Sequence, residues 1–111
     1  MKVEYFKKPT LIKGNVYAIE KPIEEYPFRE KIEAEYLGSS ETREHVFGRN
    51  SGSNEFIIAE DRWVMEVDGV ITYKPITPSR MINLTRDKFQ VFSDAEKSRL
   101  RKILADVGVQ L

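Results

Sequence analysis

Two β-prone runs, Trp63 to Val67 and Val70 to Lys74, stand on either side of the dipeptide Asp68-Gly69. Asp-Gly supplies the positive φ of a type I′ turn, whose twist matches that of the flanking strands. The pair therefore specifies a two-residue hairpin in which Val67 faces Val70, Met65 faces Thr72 and Trp63 faces Lys74. The other face carries Val64, Glu66, Ile71 and Tyr73. Both faces are partly apolar, so a central or strongly curved hairpin is expected.

The rest of the chain is read outward from this hairpin. Lys31 to Leu37 alternates Ile32, Ala34 and Tyr36 with Lys31, Glu33 and Glu35, which gives a strand with one buried and one wet face. Gly38-Ser39-Ser40 is expected to turn it back into Arg43 to Phe47. Lys2 to Phe6 reads as a short strand. Thr10 to Lys13 and Val16 to Ile19 flank Gly14-Asn15 as a second hairpin, ended by Pro22. The prolines within residues 22–28 mark a connection. Glu55 to Val67 forms two strands broken near Glu60-Asp61, or one long strand with a bulge there. After the interruption at 75–79, Arg80 to Leu84 is a further short strand, and Phe89 to Phe92 leads into a helix.

That helix spans 93–107. Ser93 and Glu96 have capping-box spacing, and Leu100, Ile103, Leu104 and Val107 make one apolar stripe. Gly108 falls where a C′ glycine belongs. Strands first and a helix last give an α+β domain over 1–111: an antiparallel sheet or small open barrel of five to seven strands, with the C-terminal helix packed against it. The alternative is an SH3-like or OB-like barrel with the helix as an appendage.

Composition narrows the chemistry. The 111 residues include no cysteine, which excludes disulfides, thiolate metal sites and cysteine nucleophiles. The absence fits a reducing, cytoplasmic compartment. No apolar run approaches the length of a membrane helix, and the N-terminus lacks the pattern of a signal peptide. Formal net charge is zero, but the charges are segregated. Residues 24–41 hold six acids and two bases, residues 55–68 five and one, and residues 80–102 three acids and seven bases. These blocks are expected to pair with one another or to form solvated faces.

No catalytic, cofactor or metal site is expected. His45 is the only histidine and lacks a Gly-x-Ser-x-Gly context. Glu60, Asp61, Glu66 and Asp68 have no EF-hand spacing. Glu33 and Glu35 are read as the wet face of their strand, and Glu96 as a cap residue. The polar segment 48–54 is expected to be a mobile loop and lacks the phosphate-binding pattern of glycines and lysine. Tyr5, Phe6, Trp63, Tyr73, Phe89 and Phe92 are read as core filling.

The expected function is a non-enzymatic protein-binding module, of the inhibitor or adaptor kind found among phage and mobile-element accessory proteins. Its candidate partner-binding residues are Arg49, Asn50, Ser51, Ser53 and Asn54 in the loop and Arg99, Arg101 and Lys102 on the helix. Two alternatives stand beside it. One is nucleic-acid binding through an aromatic surface with Arg80, Arg86, Lys88 and the helix cations. The other is small-molecule or nucleotide binding with 48–54 as a lid. The predicted partner is another protein rather than a membrane.

Overall fold

The structure, a computed structural model, describes residues 9–22, 29–49, 55–61, 64–67, 69–73 and 81–110. The expected strand at Lys2 to Phe6, the connection 23–28, the segment 50–54 and the break at 75–79 lie outside these residues. Seven strands form one sheet: β1 (Val16–Pro22), β2 (Arg29–Ser39), β3 (Glu44–Arg49), β4 (Glu55–Glu60), β5 (Val64–Val67), β6 (Val70–Tyr73) and β7 (Met81–Leu84). Among the described residues two helices follow, α1 (Arg86–Phe89) and α2 (Asp94–Asp106). The strand order is β5-β6-β1-β2-β3-β4-β7, with every pair antiparallel except β1 with β6. The α+β reading with a C-terminal helix is therefore the observed fold.

The order and the connections together require the sheet to roll. In a flat sheet β4 and β5 would stand five strand spacings apart, about 24 Å. The chain from Glu60 to Val64 covers four residue steps and reaches at most about 14 Å. Only a curled sheet brings the two strands close enough, and the inner core records this curl. Ile19, Ile32, Ala34, Tyr36, Phe47, Ile57, Ala59, Val64 and Ile71, from six different strands, make one buried cluster.

A second cluster lies on the outer face. Leu100, Ile103, Leu104 and Val107 of the α2 region pack on Val46 of β3, Ile58 of β4, Leu84 of β7 and Phe89 of α1. The apolar stripe read from the sequence is thus the buried face of the helix. Ser93 caps it, its Oγ accepting from the Glu96 N–H at 3.3 Å. At the other end the Gly108 N–H donates to the Ala105 carbonyl and the Val109 N–H to the Leu104 carbonyl, a Schellman closure.

The Asp-Gly hairpin forms as read: Val67 pairs with Val70, Met65 with Thr72, and Gly69 has φ +78°. Its place differs from the central one, because β5 is the first strand of the sheet and so an edge. Rolling, rather than a central position, buries Val64 and Ile71. Gly69→Val would put a β-branched side chain at positive φ and is expected to destabilise the fold by about 1–3 kcal/mol. Thermal melting of the variant checks this, and an unchanged melting temperature would contradict the turn.

Four expectations are corrected. Gly14-Asn15 makes a turn, with the Asn15 N–H donating to the Ile12 carbonyl at 3.1 Å, but residues 10–13 are not a strand. The turn instead feeds β1 into β2, since Gly14 and Asn15 exchange backbone hydrogen bonds with Tyr36. Gly38-Ser39-Ser40 is not the β2–β3 turn, because β2 runs on to Ser39. The chain reverses over Ser40 to Arg43, with Arg43 left-handed at φ 64°, the pattern of a three-residue hairpin loop. Gly38 marks a bulge, where the register shifts between Tyr36 and Gly38. Its φ of +129° and the Val107 Cγ1, 3.4 Å from where a Cβ would stand, suit glycine there.

The other two corrections concern segment ends. Gly48 and Arg49 belong to β3, paired with Phe56 and Glu55, and not to a loop. Phe89, read as the start of an approach to the helix over 89–92, instead closes a short helix α1 over Arg86–Phe89, capped by Thr85 Oγ1 accepting from the Lys88 N–H at 3.2 Å.

Candidate functional site

Two features stand out: a polar network at one end of the inner core, and a bare patch on the outer face of the sheet.

The network centres on His45. Strand alternation places His45 two residues from Phe47 and so on the inner face. Its ring is nearly buried, at 12% exposure. Nε2 lies 2.5 Å from Asp61 Oδ1, and Nδ1 lies 2.8 Å from the Tyr36 hydroxyl. An ionised carboxylate only accepts, so Nε2 carries a proton, and in the neutral imidazole Nδ1 then accepts from the Tyr36 O–H. The order is Tyr36 to His45 to Asp61.

Burial pushes the Tyr36 phenol above its ordinary value. The hydrogen bond from Ser39 opposes this, while the charges of Asp61 and Tyr17 act in the same upward direction. The phenol is therefore held neutral. Both nitrogens of His45 are engaged, which leaves no lone pair for a substrate proton or a metal ion. What the network does is fasten β2, β3 and the start of the β4–β5 connection together. Asp61 is held from a second side as well, its N–H donating to the Arg43 carbonyl at 2.8 Å. Among the described residues, no group of three histidine or acidic side chains is placed to hold a metal.

The candidate cations are distributed over the surface. Arg49 pairs with Glu55 at 3.4 Å at the end of the β3–β4 ladder. Arg99 lies 3.6 Å from Glu44 and 3.7 Å from Glu96. Buried Glu44 also accepts from the Ser40 and Thr42 hydroxyls, so Arg99 ties α2 to the β2–β3 hairpin. The Glu41 N–H donates to Asp106 Oδ2 at 3.1 Å, a second tie between the same elements. Arg101 stacks over Phe89 with its guanidinium carbon 5.0 Å from the ring centre. Lys102 is exposed and makes no ion pair among the described residues. Asn50, Ser51, Ser53 and Asn54 lie outside the described residues. Phe89 is buried and Phe92 packs beside it in the outer cluster, so neither is available to stack a base.

The bare patch was not singled out from the sequence. Helix α2 covers β3, β4 and β7, and no β1 or β6 residue joins the outer cluster. The outer row of β1 and β2 pairs Val16 with Glu35, Ala18 with Glu33, and Glu20 with Lys31. Val16 is 61% exposed, and Ile12 across the adjacent turn is 58% exposed. A groove of about 480 Å³ opens beside this row, lined by Val16, Lys31, Glu33 and Glu35 of the outer face together with Ile32, Ala34 and Arg49, which alternate onto the inner one. The signal was present in Val16-Tyr17-Ala18-Ile19, apolar at every position of a strand that a single helix covers on neither side. No helix among the described residues is long and apolar enough to cross a membrane.

No known family, curated protein or solved structure matches the chain.

Proposed function

We propose that the chain is a non-enzymatic protein-binding module, and that its partner contacts the outer face of β1 and β2. The observation that carries this reading is exposed Val16 in the outer row of β1 and β2, opposite Glu35 and two residues from Ala18, on the part of the sheet where no β1 residue joins the cluster under α2. An apolar patch inside a polar rim is the usual anatomy of a protein contact. Segregated charge would steer the encounter. A cytoplasmic inhibitor or adaptor, such as a phage or mobile-element accessory protein, fits a small chain without cysteine.

The engaged helix cations weigh against nucleic acid. Arg99 is occupied by Glu44 and Glu96, and Arg101 lies over Phe89. With zero formal net charge, little drives counterion release.

A photo-crosslinking residue placed at position 16 or at position 102, in the native cell, tests the reading. A discrete protein adduct from position 16 and none from position 102 is expected. Adducts from neither position, or equally from both, would contradict it. Labelled single-stranded and duplex oligonucleotides at low salt are expected to bind no tighter than about micromolar. Tight, salt-sensitive binding would establish the nucleic-acid reading instead.

A further inference from the structure

We infer that the segment docking on the β1–β2 face is cationic: an extended stretch of a partner protein with two lysine or arginine side chains about 7 Å apart and an apolar residue beside them. This rests on the protein-binding reading above and adds the chemistry of the partner to it.

The inference starts from two carboxylates. Glu33 and Glu35 are exposed, and neither makes a side-chain hydrogen bond or ion pair among the described residues. Their cross-strand neighbours are Ala18 and Val16, which offer no charge. The nearest cation in the same row, Lys31, stands opposite Glu20. Arg49, at the other side of the groove, is taken up by Glu55. By register the outer row holds three carboxylates, Glu20, Glu33 and Glu35, and two cations, Lys31 and Arg29, with Glu33 and Glu35 together at the end away from Arg29.

Strand geometry fixes the spacing of the two unpartnered groups. Residues two apart on one face of a strand stand about 7 Å from each other. Two cations at alternate positions of an incoming extended segment match that distance. The apolar Val16 directly opposite Glu35 offers a seat for a neighbouring side chain of the same segment. A lysine- or arginine-bearing segment is thereby favoured over an acidic peptide, and over a nucleic acid, whose phosphates the same carboxylates repel.

The test uses the full chain and two labelled synthetic peptides, one alternating lysine with valine and one alternating glutamate with valine. The lysine peptide is expected to bind, more weakly as salt is raised, with NMR shift changes confined to β1 and β2. Replacing both carboxylates (E33Q with E35Q) is expected to weaken it about tenfold, the combined effect of two exposed charge pairs. The same variant should melt like the parent, since the two side chains support nothing in the fold. Equal binding to parent and variant would overturn the inference, as would preference for the glutamate peptide. If position 16 crosslinks to a protein while the lysine peptide fails to bind, the docking face stands and the cationic partner is wrong. If both fail, the protein-binding reading fails with it.

Discussion

Leu104→Ala is expected to lower the free energy of unfolding by about 2–5 kcal/mol. Leu104 is fully buried, in one cluster with Val46, Ile58, Leu84 and Leu100. Its truncation removes buried methyl groups and leaves a cavity among strands that are also fixed by the inner core, so the site cannot collapse freely. For a domain whose total stability is of the order of 5–15 kcal/mol, that loss is a large fraction. Urea unfolding reads it as a lowered midpoint with an unchanged slope. Lys102→Ala, on the exposed side of the same helix, is the control and should stay within about 0.5 kcal/mol of the parent. Deleting 93–111 carries the same reasoning further. It uncovers Val46, Ile58 and Leu84 together, and an aggregating or unfolded product is expected. A well-dispersed NMR spectrum from that truncation would show α2 to be dispensable.

The elements legible in the sequence were those whose signal is local. Ser93 with Glu96, the Leu100–Val107 stripe and Gly108 lie within four helical turns of one another, and the helix formed within a residue of where they placed it. Ile32, Ala34 and Tyr36 carry their own period, and Asp68-Gly69 carries its own turn. What could not be read depends on pairing between distant segments. Gly14-Asn15 has the chemistry of a hairpin turn, yet its backbone groups bond to Tyr36. Nothing near residue 14 encodes that choice. The parallel pairing of β1 with β6, and hence the edge position of β5, is equally non-local.

The candidate site divides along the same line. Glu33 and Glu35 were identified as a wet face from alternation alone, and they are exposed. Their importance comes from what α2 leaves uncovered, which requires the sheet order. Gly48 and the polar run after it make Arg49 look like part of a loop, whereas the cross-strand pair with Glu55 extends β3 through it. From the sequence alone His45 is either structural or merely exposed, because no partner for it can be placed. Its partners, Tyr36 and Asp61, stand nine and sixteen residues away, and only the folded sheet brings them to it.

That arrangement makes His45→Ala the second large effect. The variant deletes the acceptor of the Tyr36 hydroxyl, a group buried at 6% exposure. Leaving a buried donor without its acceptor costs about 1–3 kcal/mol. Asp61 loses its imidazole contact, and a small void opens beside Phe47. Together these are expected to destabilise the protein by roughly 2–4 kcal/mol. Tyr36→Phe removes the donor itself, so the double variant should lose less than the two single variants combined. That non-additivity is the signature of a shared network, and additive losses would sever it. Tyr36 also gives the network a pH dependence of known sign. Its folded-state value is raised above 10.0, so the stability it contributes is fully present below that pH and is lost as the pH climbs through the raised value. Above about pH 10 the unfolded phenol ionises while the buried one resists. The parent should therefore weaken with rising alkalinity more steeply than Tyr36→Phe, when urea midpoints are compared between pH 8 and pH 11. Parallel curves would mean that the phenol ionises as readily in the fold as out of it, and that burial does not hold it neutral.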